Sequence, residues 1–328
     1  MSDVFKEGIV RKLIKALPLI YFICGLCFAG ACFVGYRQLL SSDDNAKQMT
    51  HQIQSKEKSQ QQLKEKKKLA NYDPNQIKPV TPREYAAAQL KYEDIVNHYG
   101  IGSIFIPSSN IRSKILAGLS NQNLMVAVGT YYSDQELGKG NYVLLAHNLV
   151  EGGGALGNLP NTKLDHIIYA TDFTNIYEYK AIKNETVNQA NGQLLEKPSD
   201  NEPAIITLFR CEGAINTPNR ALVQGEFVRS YPANEAANDV KVGLGLGVMT
   251  NNSKHEGATE QATPQQSTQR KYSTNTSIKQ FKQDKPTYSF LEKIAINCFS
   301  IVSEYPLYIG SGFLLILLLL QRVTKKYS

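Results

Sequence analysis

Ala204-Ile205-Ile206-Thr207-Leu208-Phe209-Arg210-Cys211 is the stretch that decides the fold and the chemistry expected of this chain. Its alternating, β-branched residues predict a buried strand with Cys211 at the end. The following residues 216–219 have turn composition, and Arg220 opens a second strand that runs to Val228. The turn is thus expected to place the guanidinium of Arg220 beside the thiol of Cys211. Because the thiolate is the reactive form and a nearby cation favours it, Cys211 is a candidate nucleophile.

Composition narrows the class of protein. The chain has 328 residues and a modest net charge of +7. Much of the basic excess lies in tails and linkers, so no nucleic-acid partner is predicted. Cys24, Cys27 and Cys32 lie in one apolar stretch and Cys298 beside another, which leaves Cys211 without a disulfide framework. Cys24 and Cys27 have zinc or redox spacing, but their apolar surroundings favour lipid-facing cysteines or a palmitoylation site.

Two apolar runs predict membrane helices. Residues 17–36 form a charge-free run of 20 residues, enough to span a bilayer. A signal peptide is the alternative, but the run is long for one and lacks a clear cleavage site. A second span is predicted over residues 293–321, with a buried apolar helix as the alternative. Basic residues flank the outer ends, in tails 1–16 and 322–328, so both termini are expected in the cytoplasm.

Between the two apolar runs the composition changes twice. Residues 37–81 are polar and rich in Lys and Gln, which predicts a solvated stalk helix or a basic spacer attracted to anionic lipid or wall polymer. Residues 241–292 are rich in Gly, Asn, Gln and Ser, as is typical of a flexible linker. The segment 82–240 is therefore the expected globular domain.

Short strands dominate this domain after a helical segment at 84–99. The polar turns between them indicate a mainly β fold, either a barrel or a sandwich. The long polar loop 188–203 precedes the cysteine strand and is a candidate recognition segment. The predicted strands cover residues 102–107, 124–128, 142–147, 167–170, 176–180, 204–208 and 220–228.

His147 ends an apolar strand, as Cys211 does, and lies 64 residues before it. With this histidine, the region 82–232 closely resembles the sortases, the membrane-anchored cysteine transpeptidases of Gram-positive bacteria. Three ordered patterns carry the resemblance: Gly140-Asn141-Tyr142 through His147, Thr207-Leu208-x-x-Cys211, and Arg220-x-x-Val223-x-Gly225. One departure is Arg210, where the family usually has Thr. Alternation points Arg210 away from the face of Cys211, so the change reflects lineage drift or altered substrate handling.

The resemblance implies a closed sortase-type β-barrel of about eight strands with short helices, flanked by two transmembrane helices. The segments 100–107 and 138–142 resemble class A, the housekeeping sortases. The C-terminal anchor and residues 215–217 resemble class C, the pilus-building enzymes. The class C lid carries Asp-Pro-aromatic, whereas Asp73-Pro74-Asn75 lacks the ring, so a class A-like sortase with an additional C-terminal anchor is expected.

The resemblance also implies a mechanism and a set of partners. Cys211 would attack the Thr carbonyl of a Leu-Pro-x-Thr-Gly sorting signal, His147 would move protons, and Arg220 would stabilise the oxyanion. The implied partners are secreted proteins that bear this signal, a lipid-linked peptidoglycan-precursor amine and the membrane. No cofactor or metal site is predicted, and calcium dependence stays open. The expected location is the cell membrane, with the catalytic domain outside.

Alternation further places Leu145 and Phe209 on the same faces as His147 and Cys211, because each lies two residues earlier. They are candidates for an apolar wall around the signal's Leu-Pro, with ordinary barrel packing as the alternative. Other functions stay open beside the housekeeping one: a class C-like pilus polymerase, a membrane-tethered hydrolytic cysteine protease, and a catalytically silent binding module.

Overall fold

Eight strands of the domain close into a barrel. The computed structural model describes residues 2–40, 49–51, 53, 56–148, 153–188, 192–196, 198–199, 201–211, 218–247, 281–282 and 288–326. The barrel strands are β2 (Gly100–Ile106), β3 (Ile111–Leu116), β4 (Val128–Thr130), β5 (Asn141–Ala146), β6 (Ile167–Thr171), β7 (Asn175–Asn188), β8 (Ile205–Cys211) and β9 (Asn219–Pro232). Around the barrel the strands follow the order β2-β3-β4-β5-β8-β9-β7-β6. The predicted closed barrel is confirmed.

The other elements surround the barrel. Two short strands, β1 (Thr50–His51) and β10 (Phe281–Lys282), pair with each other. The helices are α1 (Ser2–Leu40), α2 (Lys56–Leu69), α3 (Pro82–Leu90), α4 (Tyr92–Tyr99), α5 (Asn121–Val126), α6 (Asn238–Leu244), α7 (Phe290–Glu304) and α8 (Pro306–Lys326).

Strand alternation separates two apolar faces. Leu144, Ile206, Leu208 and Val223 are buried together inside the barrel. Their neighbours along the strands point outward, and Val143, Phe209 and Leu222 form a separate cluster there. Successive side chains point to opposite faces of a sheet, so the strands of this region serve both the core and an outer surface.

The strand predicted at residues 124–128 is wrong for its first part. Residues 121–126 form α5, and β4 begins only at Val128. The Ser120 side chain caps the helix by accepting the Asn123 backbone N–H at 3.3 Å. The Asn123 side chain in turn donates to the carbonyl of Ala117 at 2.8 Å. Tertiary contacts therefore select a helix for an apolar run too short to be classified by periodicity.

The stalk predicted as a solvated helix is a helix in α2, but it is docked on the barrel. Ser59 donates from its hydroxyl to the carbonyl of Asp172 at 2.9 Å. Lys66 and Lys67 donate to the carbonyls of Gly100 and Gln135, at 2.7 Å and 2.8 Å. Burial lowers the pKa of Lys66 to about 8. The polar side chains of α2 thus donate hydrogen bonds to backbone carbonyls of the barrel domain instead of to water.

Two helices are long and apolar enough to cross a membrane: Ile14–Leu39 within α1, and α8. The span predicted at 293–321 is divided, because α7 ends at Glu304 and α8 begins at Pro306. Proline suits the first turn of a helix but cannot continue one. Glu304 therefore lies at a helix end, where it forms an ion pair with Arg83 of α3.

The helix α7 packs against α1. A Cβ added to Gly35 of α1 would clash with the carbonyl oxygen of Ala295. The rings of Tyr36 and Phe299 lie 5.3 Å apart. Leu39 and Ile296 belong to the same buried cluster as Tyr85 and Val240 of the globular domain. The anchor and the domain thus share one core.

The linker predicted at 241–292 lies mostly outside the described residues. Its first residues complete α6, and its last ones begin α7.

Candidate active site

Strand register brings the three predicted catalytic residues to one end of the barrel. The parallel strands β5 and β8 pair Ala146 with Arg210, so His147 follows β5 at the level where Cys211 ends β8. The antiparallel strands β8 and β9 pair Cys211 with Arg220. Neighbouring strands lie about 4.8 Å apart. The pairing of three neighbouring strands therefore places His147, Cys211 and Arg220 next to one another, although they are distant in sequence.

The outer face beside this end is apolar. Leu145 pairs with Phe209, and Phe209 pairs with Leu222, so all three share the face of Cys211. Leu194 and Leu195, from the loop before β8, pack against the same cluster. Leu145 and Phe209 thus lie where alternation predicts, on the outside of the barrel and not in its interior.

A chain of hydrogen bonds holds that loop to the barrel. Gln224 Nε2 donates to Thr207 Oγ1 at 3.1 Å, and the Thr207 hydroxyl donates to Asn141 Oδ1 at 2.7 Å. Asn141 Nδ2 then donates to the carbonyls of Leu194 and Glu196 at 3.1 Å and 3.0 Å. The sequence patterns contain Asn141 and Thr207, but sequence reasoning gave them no role. Only the pairing of β5 with β8 shows their contact.

His147 is buried, with 8% of its surface exposed. Its backbone N–H donates to the carbonyl of Leu124 at 2.9 Å, and its Nε2 lies 3.1 Å from Asn121 Oδ1. Burial lowers the pKa of His147 to about 4, and the nearby Glu84 carboxylate opposes this shift. The imidazole is therefore neutral at pH 7. No hydrogen bond joins His147 to Cys211, as is common for catalytic pairs without substrate.

Two arginines flank Cys211. Arg220 is half-buried, and its Nη1 donates to the Asn219 carbonyl at 2.8 Å. Arg210 pairs in register with Ala146 and Ala221, which face the barrel interior. It is buried, and its Nη1 donates to the carbonyl of Cys211 at 2.9 Å. Arg210, at the position where the family usually has Thr, thus holds the backbone of the candidate nucleophile Cys211 from the opposite face.

Some predicted features lie outside the described residues. Residues 212–217, which include the class C-like segment 215–217, are among them. Within the described ranges, no group of three or more His, Cys, Asp or Glu side chains could hold a metal ion.

Comparison with known proteins assigns the family. Residues 104–228 match the sortase domain family. Sortase A of Listeria monocytogenes is 31% identical over 130 residues, 40% of this chain and 57% of that protein, so the chain matches little more than half of this relative. The solved structure of that sortase aligns with a TM-score of 0.41 and 26% identity, over 45% of this chain and 97% of that one.

Two further relatives match over nearly their whole length. Sortase A of Bacillus anthracis is 26% identical over 219 residues, which cover 66% of this chain and 96% of that protein. The candidate sortase YwpE of Bacillus subtilis strain 168 is 34% identical over 98 residues, 30% of this chain and 93% of that protein. The sequence matches agree with the ordered Cys, His and Arg patterns. The chain belongs to the sortase family, whose members are cysteine transpeptidases.

Proposed function

We propose that this sortase cleaves a Leu-Pro-x-Thr-Gly-type sorting signal between Thr and Gly and joins the protein to an amine of a peptidoglycan precursor. The observation that carries the proposal is the register of β5, β8 and β9. It brings His147, Cys211 and Arg220 to one end of the barrel. Acyl transfer requires a nucleophile, a group that moves protons and hydrogen-bond donors in fixed positions, all at one place.

In the acylation step, the Cys211 sulfur forms a bond to the Thr carbonyl carbon while the thiol proton passes to His147. Arg220 donates hydrogen bonds to the oxyanion or to the substrate backbone. The C–N bond then breaks, and His147 gives its proton to the departing Gly amine. A thioacyl-enzyme is left. The acceptor amine attacks the same carbon, and His147 takes a proton from it. The C–S bond then breaks as His147 returns that proton to the sulfur, which restores the thiol.

The protonation state of His147 sets the order of these proton transfers. With its pKa lowered to about 4 by burial, only about 0.1% of the imidazole is protonated at pH 7. In the scheme proposed here, the reaction therefore begins from the neutral ring. We infer that the neutral ring acts first as a base toward the thiol and then as an acid toward the leaving amine.

The outer apolar face supports the proposed substrate class. Leu145, Phe209 and Leu222 lie side by side on the face of Cys211, with Leu194 and Leu195 packed against them. Apolar walls with a few placed polar groups are typical of ligand sites. We assign this surface to the Leu-Pro portion of the signal, so that the Thr carbonyl comes to the thiol.

The two apolar helices support a membrane location for the partners as well. Their basic outer flanks favour both termini in the cytoplasm and the barrel on the outer side. Secreted proteins with a C-terminal signal and a lipid-linked wall precursor are both available at that surface. The class A-like segments favour wall anchoring over pilus polymerisation.

The test is mass spectrometry of the full chain in detergent with sorting peptides, with and without amine acceptors. We expect a thioacyl adduct on Cys211 and, with an amine, a product ligated at Thr. The Cys211→Ala variant should give neither. Turnover near wild type in that variant would refute the proposal. Release of hydrolysed peptide at an unchanged rate in the presence of amines would instead identify a hydrolytic protease.

A further inference from the structure

The side chain of Asn121 forms a hydrogen bond with the imidazole of His147. Its Oδ1 lies 3.1 Å from Nε2 of the ring. The same oxygen accepts the backbone N–H of Lys78 at 3.0 Å, and Nδ2 donates to the Lys78 carbonyl at 3.3 Å. A backbone N–H can only donate and a carbonyl can only accept. The amide orientation is therefore determined by the Lys78 backbone, and an oxygen faces the ring.

This orientation assigns the ring proton. The amide oxygen is an acceptor, so Nε2 can form the contact only if it carries hydrogen. The ring is neutral at pH 7 because burial lowers the pKa of His147 to about 4. A neutral imidazole with hydrogen on Nε2 has its lone pair on Nδ1. Among the described residues, the side chain of His147 makes its hydrogen bond at Nε2 and none at Nδ1.

The helix that carries Asn121 is itself fixed. Gln89 Nε2 donates to the carbonyl of Met125 at 2.8 Å, and Asn123 Nδ2 donates to that of Ala117 at 2.8 Å. The His147 backbone N–H bonds to Leu124 of the same helix at 2.9 Å. The helix therefore holds both the main chain and the ring of His147, which makes the contact a preorganised one.

The charged neighbour of His147 does not replace this contact. Glu84 accepts the backbone N–H of Thr81 at 3.0 Å and its hydroxyl at 2.9 Å, as part of the cap of α3. Its charge raises the pKa of His147 against the effect of burial, but from a distance. An uncharged amide can select a tautomer without attracting a proton to the ring as a carboxylate does.

We propose that Asn121 is a positioning residue that holds His147 in the tautomer protonated at Nε2, so that Nδ1 is the nitrogen that exchanges protons with Cys211. The role in the reaction rests on the proposed function, whereas the tautomer does not. In this scheme the thiol proton moves to Nδ1 as the C–S bond forms. The same proton leaves from Nδ1 to the Gly amine as the C–N bond breaks, and Nε2 keeps its hydrogen throughout.

The test combines nitrogen NMR with kinetics on the full chain in detergent. The chain has five histidines, so the His147 signals are assigned in ¹⁵N-histidine-labelled protein by their loss in His147→Gln. In the wild type we expect, at pH 7, a protonated Nε2 and an unprotonated Nδ1. Asn121→Ala should show mixed tautomers and lose about 10- to 100-fold in kcat, with KM for the sorting peptide within about twofold.

Two comparison variants separate positioning from folding. Asn123→Ala removes a bond of the same helix without touching the ring, so its tautomer should stay that of the wild type. Asn121→Asp keeps an acceptor at Nε2 and should recover the tautomer, while the acid limb of its pH–rate profile moves to higher pH because a carboxylate favours the imidazolium.

Hydrogen on Nδ1 in the wild type would overturn the proposal, as would a pure Nε2 tautomer with unchanged kcat in Asn121→Ala. If the tautomer follows these expectations but Cys211 forms no thioacyl adduct, the proposed function fails and the assignment of the ring proton stands.

Discussion

The buried neutral state of His147 makes the stability of the domain depend on pH. The ordinary histidine pKa is near 6.5, and burial lowers that of His147 to about 4. Between these values the unfolded chain binds a proton that the folded chain does not. Stability is therefore fully present above about pH 6.5 and is lost as pH falls toward 4. The linkage relation gives a loss of about 2 kcal/mol between pH 7 and pH 5.

The perturbation that isolates this effect is His147→Gln, which removes the titration. The free energy of unfolding would be measured by urea titration in detergent at both pH values, followed by tyrosine fluorescence since the chain has 18 tyrosines and no tryptophan. The lost contact with Asn121 affects both pH values equally, so it cancels in the comparison. Wild type should lose about 2 kcal/mol more than the variant, a shift of about 1 M in urea midpoint.

The exposed His166 supplies the matched control. His166→Gln should leave the acid loss of the wild type in place. If wild type and His147→Gln lose the same free energy between pH 7 and pH 5, the ring is not held neutral in the folded state. The conclusion that it begins the reaction as a base would then be wrong.

Other consequences can be measured directly. Arg220→Lys keeps the charge but loses the planar guanidinium, so kcat/KM should fall at least about tenfold in a peptide-ligation assay, and Arg220→Ala should lower it further. Wild-type turnover in Arg220→Lys would mean that backbone N–H groups, and not Arg220, stabilise the oxyanion. Phe209→Leu should raise KM for sorting peptides about fivefold, whereas Leu208→Val, on the interior face, should not; equal KM values would remove Phe209 from the substrate wall. Gly35→Ala should lower the melting temperature by several degrees through its clash with α7, whereas Gly30→Ala, where an added Cβ meets nothing within 4 Å, should not; equal values would disprove the docking. Protease added to intact protoplasts should spare tags at both termini, and cleavage of either tag from outside would refute the proposed topology.

Sequence patterns predicted the parts of the fold in which local and tertiary preferences agree. Alternation located β8 and β9, and with them the positions of Cys211 and Arg220. The strand β3 was missed because Arg112, Ser113 and Lys114 interrupt its apolar pattern. Lys114 is nonetheless buried, and burial lowers its pKa to about 7. Such a position cannot be recognised before the elements that cover it are known.

The candidate site shows the same division. Cys211 and His147 could be predicted because each ends an apolar strand within a recognisable pattern. Asn121 carried no comparable signal, since it is a polar residue at the start of a helix whose last residues, 124–126, the sequence suggested as strand. Its role depends on the Lys78 backbone, 43 residues away, and on the His147 ring, 26 residues away. Contacts of that kind follow from tertiary packing and not from local preference.

The shared core of α1, α7 and the catalytic domain also fixes the distance between the membrane helices and the candidate active site. A domain on a loose tether samples many distances from the bilayer, whereas Leu39 and Ile296 are buried in the same cluster as Tyr85. In the proposed topology, the thiol of Cys211 is then held at one distance above the lipid. For a substrate of the proposed class, the spacer between the sorting signal and its membrane-embedded tail must then match that distance, because a spacer of the wrong length presents the scissile bond above or below the thiol.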